Sequence, residues 1–137
     1  MSKGMRTLHV ESGKISCFAR AGLTGLIAQD STIVLWELPT GAVILGSTIF
    51  RTVLDTTAGA DVVVESTEAS PRTFNTLDIS AASINIMTQT AALLAPITGT
   101  ATQRRLRLRN TVAGTGDGVY TVIITATRPG PEPQASA

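Results

Sequence analysis

The sequence predicts an all-β protein, a single-domain, jelly-roll-like β-sandwich with extended N- and C-terminal arms. Its 137 residues suit one domain, which can bury roughly two thirds of the surface of its unfolded chain. The apolar residues are mostly Ala, Val, Ile and Leu, and together with abundant Thr and Gly they favour strands over helices. About seven or eight short strand-like segments recur between turn signals at intervals of roughly 8 to 15 residues, which is typical of a sandwich or jelly roll.

Composition divides the chain into three parts. Residues 1–10 are expected to form an N-terminal arm, and residues 11–128 the sandwich. Residues 129–137 belong to the Pro-rich segment "RPGPEPQASA", which lacks bulky apolar side chains. We therefore expect an extended or disordered tail there rather than part of the core.

The first half of the domain contains three predicted strands. "ISCF" (15–18) alternates, whereas "ARAGLTGLIAQDS" (19–31) contains two glycines and a polar end, and is predicted to be a loop. "TIVLWELP" (32–39) is a strand closed by its proline, and "TGAVILGSTIF" (40–50) is the next strand. The turn-like "PTG" between the last two predicts a hairpin or a corner.

The middle of the chain is less regular. "DTTAGA" (55–60) is a predicted turn, "DVVVEST" (61–67) a strand, "EASPRT" (68–73) a loop and "FNTLDIS" (74–80) a strand. "SINIMTQTAALLAP" (83–96) fits both periods, since Ile84 and Ile86 alternate while Ile84, Met87, Ala91 and Leu94 have helical spacing. A strand followed by a loop is the favoured interpretation.

The C-terminal part has the clearest pattern. "QRRLRLRN" (103–110) alternates, "TVAGTGDG" (111–118) contains the Asp-Gly signal of a turn, and "VYTVIITAT" (119–127) is rich in Val, Ile and Thr. These three segments predict a β-hairpin.

No residue pattern predicts catalysis, a cofactor or a metal. The one histidine, His9, lies near the N-terminus and is expected to be a surface or strand residue rather than a catalytic base, and Cys17 in an alternating strand is expected to be a small core residue. A single cysteine also excludes an internal disulfide and a multi-cysteine metal site. "GTGDG" (114–118) lacks the remaining residues of a calcium or phosphate loop, so a turn is favoured. We therefore expect a protein that is not an enzyme.

Charge and hydropathy limit the partners. The formal net charge is +1, so no strong field draws the whole molecule to nucleic acid or to a membrane. The N-terminal segment has no apolar core of signal-peptide length, and no run approaches the roughly 18 to 20 apolar residues of a membrane span. Synthesis in a cytoplasm-like compartment is expected, and a virion assembled there would give the same pattern.

Four of the nine arginines lie in "RRLRLRN" (104–110). In a strand, Leu106 and Leu108 would enter the core while Arg105, Arg107 and Arg109 form a row on the opposite face, spaced about 6 to 7 Å apart. Three interpretations are open: a solvated face whose arginines pair with acids such as Glu65 or Glu68, an interface with an acidic protein surface, or a nucleic-acid site. The near-zero net charge and an aromatic content of 4% disfavour the third.

Two segments resemble the small capsid decoration, or cement, proteins of tailed bacteriophages: "LWELPTGAVILGSTIFRTV" and, far downstream, "TGTATQRRLRLRNTVAGTGDGVYTVIITATRP". In that family a Leu-Pro-x-Gly-Ala-Val-[IV]-x-Gly stretch, here residues 38–46, precedes a strand. A closing hairpin of the type "GTGDGVYTVIITA", here residues 114–126, ends the domain. The middle, from residue 55 to residue 95, is not matched.

The resemblance implies a jelly roll without enzymatic activity or cofactor that binds the outer surface of an icosahedral phage head. Its implied partners are the major capsid protein and further copies of itself, as a dimer or trimer, with no direct nucleic acid and no membrane. The implied location is the virion capsid, after synthesis in the host cytoplasm. An alternative is a head-fibre or lectin-like module that binds a host or a glycan. The candidate interface residues are Arg105, Arg107, Arg109, Lys3, Arg6, Arg128, Pro129 and Pro131.

Overall fold

A computed structural model of the protein describes residues 7–12, 15–26, 28–53, 61–78, 83–112 and 118–127. Two short 3-10 helices, Ala92–Leu94 and Ala101–Gln103, accompany the strands in this part of the chain. The strands described there are β1 Thr7–Ser12, β2 Ile15–Leu23, β3 Thr32–Glu37, β4 Ile44–Val53, β5 Asp61–Ser66, β6 Thr73–Asp78, β7 Ile84–Ile86, β8 Arg105–Asn110 and β9 Val119–Thr127.

The strands form two antiparallel sheets. One has the order β1-β2-β9-β4-β7 and the other the order β3-β8-β5-β6. Apart from β1, each sheet therefore contains four strands, and the chain crosses repeatedly from one sheet to the other, as in a jelly roll. This arrangement confirms the predicted all-β, jelly-roll-like sandwich.

The core lies between the two sheets and is built by alternation along the strands. On β9, Tyr120, Val122, Ile124 and Ala126 are buried while the residues between them are half-exposed. Because successive side chains of a strand point to opposite faces, β9 supplies one apolar row to the core. The largest side chains that are fully buried are Phe74, Leu38, Ile44, Ile49, Leu77, Ile97, Leu106, Leu108, Ile124, Val62 and Val64.

Six connections between successive strands of the described chain cross from one sheet to the other, and two of them bear on the predicted hairpins. The turn after β3 leads to β4 in the other sheet, so "PTG" forms the predicted corner rather than a hairpin. The predicted β8–β9 hairpin is wrong. The neighbours of β8 are β3 and β5, whereas β9 pairs with β2 and β4. With both edges of β8 occupied, the chain must cross to the other sheet.

The N-terminal part is more regular than predicted. β2 continues to Leu23, through a segment expected to be a loop, and its pairing with β9 shifts between Arg20 and Leu23. Gly22 lies in this irregularity with φ of 70°, a backbone conformation that glycine adopts at little cost. β1 pairs with β2 from residue 7 onward, which places residues 7–10 in the sheet rather than in an arm.

Asn75 joins the two sheets at one edge of the sandwich. Its Nδ2 donates to the carbonyl oxygen of Ser47 on β4 at 2.9 Å and to that of Asn85 on β7 at 3.0 Å. Asn85 Nδ2 donates back to Asn75 Oδ1 at 2.6 Å. The bonds satisfy a buried amide, which otherwise carries a large desolvation cost, and they attach the three-residue β7 to β6.

Candidate functional site

The arginine row lies on the outward face of the four-stranded sheet. Leu106 and Leu108 are buried, and Arg105, Arg107 and Arg109 point away from the core with partly exposed side chains, which confirms the alternation predicted for this strand. β8 is an interior strand between β3 and β5. The row is therefore flanked on both sides by side chains of neighbouring strands.

Glu65 on β5 lies beside two of these arginines. Its side chain is only 5% exposed, and its Oε2 accepts a hydrogen bond from Arg107 Nε at 2.7 Å. Arg109 adds a two-bond contact, from Nε to Oε2 at 3.0 Å and from Nη2 to Oε1 at 3.1 Å. Two guanidinium groups thus share one buried carboxylate, an arrangement that compensates its desolvation.

The outer two arginines also have acidic neighbours. Arg109 Nη1 donates to Asp30 Oδ1 at 2.7 Å, and the hydrogen bonds and charges of Glu65 and then Asp30 raise the pKa of Arg109, against the effect of burial. Arg105 is the most exposed of the row, at 38%, and its Nε lies 3.7 Å from Glu37 Oε1. These three arginines therefore face Glu65, Asp30 and Glu37, and the net local charge is close to zero.

Arg104 does not belong to the row. Its guanidinium donates to the carbonyl oxygens of Leu38 and Gly99. The side chain is half-buried and ties the start of β8 to the end of β3. Its position just before the first residue of β8 lets it avoid the core.

Arg72 forms a second charged cluster that the sequence pattern did not predict. It donates to Glu68 through Nε at 2.8 Å and Nη2 at 3.1 Å, and its Nη1 donates to the carbonyl oxygens of Ala92 and Ala95. Burial raises the pKa of the Glu68 carboxyl, but hydrogen bonds from Arg72 and Ser66 and the charge of Arg72 hold that pKa below its usual value. Of the two acids expected near the row, Glu65 pairs with it and Glu68 pairs with Arg72.

A depression of about 530 Å³ opens beside the row. Its lining combines ion-paired arginines with a proline and two threonines, so its surface offers hydrogen bonds and charge rather than an apolar pocket. The lining residues are Asp30, Thr32, Glu65, Pro71, Thr73, Arg107 and Arg109.

The remaining candidates have different positions. His9 belongs to β1, where its register partner is Phe18. The expectation that Cys17 lies in the core is wrong: it is a half-exposed free thiol, and its register partner on β9 is the outward Thr125. Within the described residues, no three His, Cys, Asp or Glu side chains lie together as a metal site. No helix there has the length and apolarity to span a membrane. Five predicted interface residues lie outside the described part of the chain: Lys3, Arg6, Arg128, Pro129 and Pro131.

The fold is similar to that of chains in solved phage capsid structures, including the capsids of three phages. A chain in the capsid asymmetric unit of cyanophage Pam1 has a TM-score of 0.56 at 21% identity, covering 94% of this chain and 91% of that chain. A chain in the acidic stable capsid structure of Helicobacter pylori bacteriophage KHP30 has a TM-score of 0.57 at 16% identity, covering 90% and 94%. A chain in the capsid of Ralstonia phage GP4 has a TM-score of 0.54 at 17% identity, covering 94% of this chain and 95% of that chain.

At these identities the similarity establishes a shared fold. That fold extends over nearly the whole of both chains in each comparison. The sequence matches no protein-family model. It also matches no curated protein.

Proposed function

We propose that this protein is a non-enzymatic decoration, or cement, protein that binds the outer surface of an icosahedral phage head and bridges neighbouring major capsid proteins. One observation carries the proposal: 90 to 94% of this chain corresponds in fold to 91 to 95% of chains in the capsids of Pam1, KHP30 and GP4. The segments that resemble decoration proteins, residues 38–46 and 114–126, support the same assignment independently.

The physical character of the molecule suits this role. A sandwich whose strands all pair within two sheets supplies a rigid body, and its outward arginine face is polar but nearly neutral. Each contact with a capsid protein can then be weak, because many copies act on one shell and their effects combine through multivalency. Weak individual contacts also allow copies to bind in register with the symmetry of the shell.

Arg105 is the member of the row best placed to bind a partner. Its side chain is the most exposed, and its contact with the half-exposed Glu37 is long. Pairs of this kind contribute little to stability, so exchanging Glu37 for a carboxylate of a capsid protein has a small cost. Arg107 and Arg109 are held by the buried Glu65 and serve to fix the shape of the surface. Residues 1–6 and 129–137, which lie outside the described part of the chain, are proposed to contact neighbouring subunits.

The test uses capsids assembled without this protein. Adding the purified protein should give a copy number comparable to that of the major capsid protein and should raise the temperature at which DNA-filled heads release their DNA. Failure to bind such capsids, or binding with no gain in resistance to heat, contradicts the proposal. Selective binding to a glycan array instead would favour the host-binding alternative.

A matched pair of variants tests the role of Arg105. Arg105→Ser should lower capsid occupancy without changing the unfolding midpoint, because its acidic contact among the described residues is a long surface pair with Glu37. Arg105→Lys keeps the charge and should retain most of the occupancy. Equal occupancy for wild type and Arg105→Ser would return Arg105 to the solvated-face interpretation.

A further inference from the structure

β3 is an edge strand of the four-stranded sheet. It pairs with β8, and no strand of the described chain pairs with its other side. An open edge presents backbone N–H and C=O groups that can pair with a strand of another molecule. The residues of β3 favour such pairing, because "TIVLW" (32–36) contains no charge, no Pro and no Gly and is rich in β-branched and aromatic side chains. Val34, in the middle of this stretch, is 49% exposed.

The pairing of β3 with β8 identifies the backbone groups on the open side. The N–H of Leu38 donates to the carbonyl oxygen of Arg104, so Leu38 faces β8. The register shifts between Val34 and Trp36, and the extra residue, Leu35, has no partner on β8. Alternation along the strand, with this extra residue counted, directs the N–H and C=O groups of Val34 to the open side.

Arg20, which belongs to the other sheet, occupies carbonyl oxygens on this open side. Its Nη1 donates to the carbonyl oxygen of Val34 at 2.8 Å and to that of Leu35 at 3.4 Å. Arg20 lies on β2, where its register partner on β9 is the buried Val122, so its side chain starts on the inward face and reaches across to β3. A strand added to β3 would place its own N–H at the Val34 oxygen, where the guanidinium already lies.

Ion pairing does not account for the position of Arg20. In contrast to the three arginines of β8, it has no carboxylate partner among the described residues. An arginine held in one geometry loses rotamer freedom, which here only the two carbonyl contacts and packing offset. On the same side of β2, Phe18 contacts Trp36 with 5.5 Å between the ring centroids. This contact holds β2 and β3 close enough for Arg20 to span the gap.

Two other sheet edges are protected by their own residues. Short edge strands and charged side chains both discourage strand addition. β7 has only three residues, and β6 exposes the charged Asp78. β3 has six residues, and its one charged residue, Glu37, lies at its end. Arg20 therefore supplies, from the opposite sheet, the charge that the middle of β3 lacks.

We propose that Arg20 guards the edge of β3 against strand addition. Its guanidinium occupies the carbonyl oxygens of Val34 and Leu35, and so prevents the uncharged strand from pairing with strands of other chains. This inference is independent of the decoration role, since it concerns the folded chain at any high concentration.

Assembly kinetics of the purified full chain under native conditions test the proposal. Arg20→Met keeps an apolar side chain of similar length but removes the donor. It should raise the initial rate of assembly into thioflavin T-binding aggregates at least about tenfold over wild type at equal concentration. Adding Val34→Lys to this variant should restore the wild-type rate, because a lysine on the open edge blocks pairing again. Assembly that results from unfolding would not be rescued in this way.

Asn75→Ala is the matched control, because it removes hydrogen bonds between the sheets at the opposite edge of the sandwich and leaves β3 unchanged. It should assemble at the wild-type rate. Hydrogen exchange locates the contact: the amide of Val34 should exchange rapidly in the wild type and be protected in Arg20→Met assemblies. Equal assembly rates for Arg20→Met and Asn75→Ala, a double variant as fast as Arg20→Met, or assemblies without protection at Val34 overturn the proposal.

Discussion

Glu65 and Arg107 face each other across the β5–β8 ladder, and Glu65 Oε2 accepts hydrogen bonds from both Arg107 Nε and Arg109 Nε. A carboxylate that is almost fully buried under two guanidinium groups stabilises the sheet only while all three members are present. The half-exposed arginines screen it from water, and no other acid reaches so far into this face among the described residues.

Glu65→Gln should lower the free energy of unfolding by about 2 kcal/mol or more, because both arginines lose their shared anion. Urea unfolding at neutral pH measures this change. Glu37→Gln is the control, since its long, half-exposed contact with Arg105 should contribute less than about 0.5 kcal/mol. Equal losses in the two variants would show that Glu65 has no special role.

Asn75→Ala should cost about 2 kcal/mol, because it removes the Nδ2 donor to the carbonyl oxygens of Ser47 and Asn85 and the Oδ1 acceptor of Asn85 Nδ2. The loss should be local as well. The backbone N–H of Met87 donates to Ser47 at the β4–β7 ladder, and its hydrogen exchange should accelerate. Thr76→Ala, an exposed substitution on the same strand, should change neither quantity.

Glu68→Gln should destabilise the protein by about 1 kcal/mol at neutral pH, through loss of the paired hydrogen bonds from Arg72. The pKa of Glu68 is lower in the folded state than its ordinary value of 4.5, so the unfolded chain takes up a proton first as the pH falls. The stabilisation is therefore complete above pH 4.5 and is lost as the pH falls through the lowered folded pKa. Denaturant midpoints of wild type and variant should converge in acid, and a constant difference would contradict this pairing.

Asp61→Asn should stabilise the protein at neutral pH by roughly 0.5 kcal/mol. Burial, and then the charge of Asp78 directly across the β5–β6 ladder, raise the pKa of Asp61 above its ordinary value of 3.8. The folded state therefore binds this proton more tightly, and wild-type stability decreases as the pH rises from 3.8 through the folded pKa. The gain from the substitution should be present at pH 7 and absent below pH 3.8. A gain that persists in acid would point to a different cause.

Local sequence patterns predicted where the strands lie better than they predicted which strands pair with one another. Alternation in "RRLRLRN" identified which residues of β8 enter the core, because burial of one face imposes a period of two. The Asp-Gly signal before β9 suggested a hairpin, yet a turn signal does not state which sheet the next strand joins. That choice depends on β2 and β4, which lie far away in the sequence and hold both edges of β9.

The charged contacts show the same limit. The row of arginines was visible in the sequence, and Glu65 was one of two candidate partners. The burial of Glu65 depends on the β5–β8 register, which no local sequence pattern contains. Arg72 is a single arginine in a predicted loop, and no sequence pattern there indicates an ion pair. Its role depends on the carbonyl oxygens of Ala92 and Ala95, which tertiary structure brings to it.

The position of β9 has a consequence for synthesis. This last strand of the described chain occupies the centre of its sheet, between β2 and β4, whose pairing partners on β9 are more than 65 residues distant along the chain. Until the ribosome has released residue 127, β1-β2 and β4-β7 remain two separate ribbons with unpaired inner edges, and closing them requires long-range contacts that form slowly. A polypeptide stopped before residue 119 would lack its central strand and should go to proteolysis rather than to assembly.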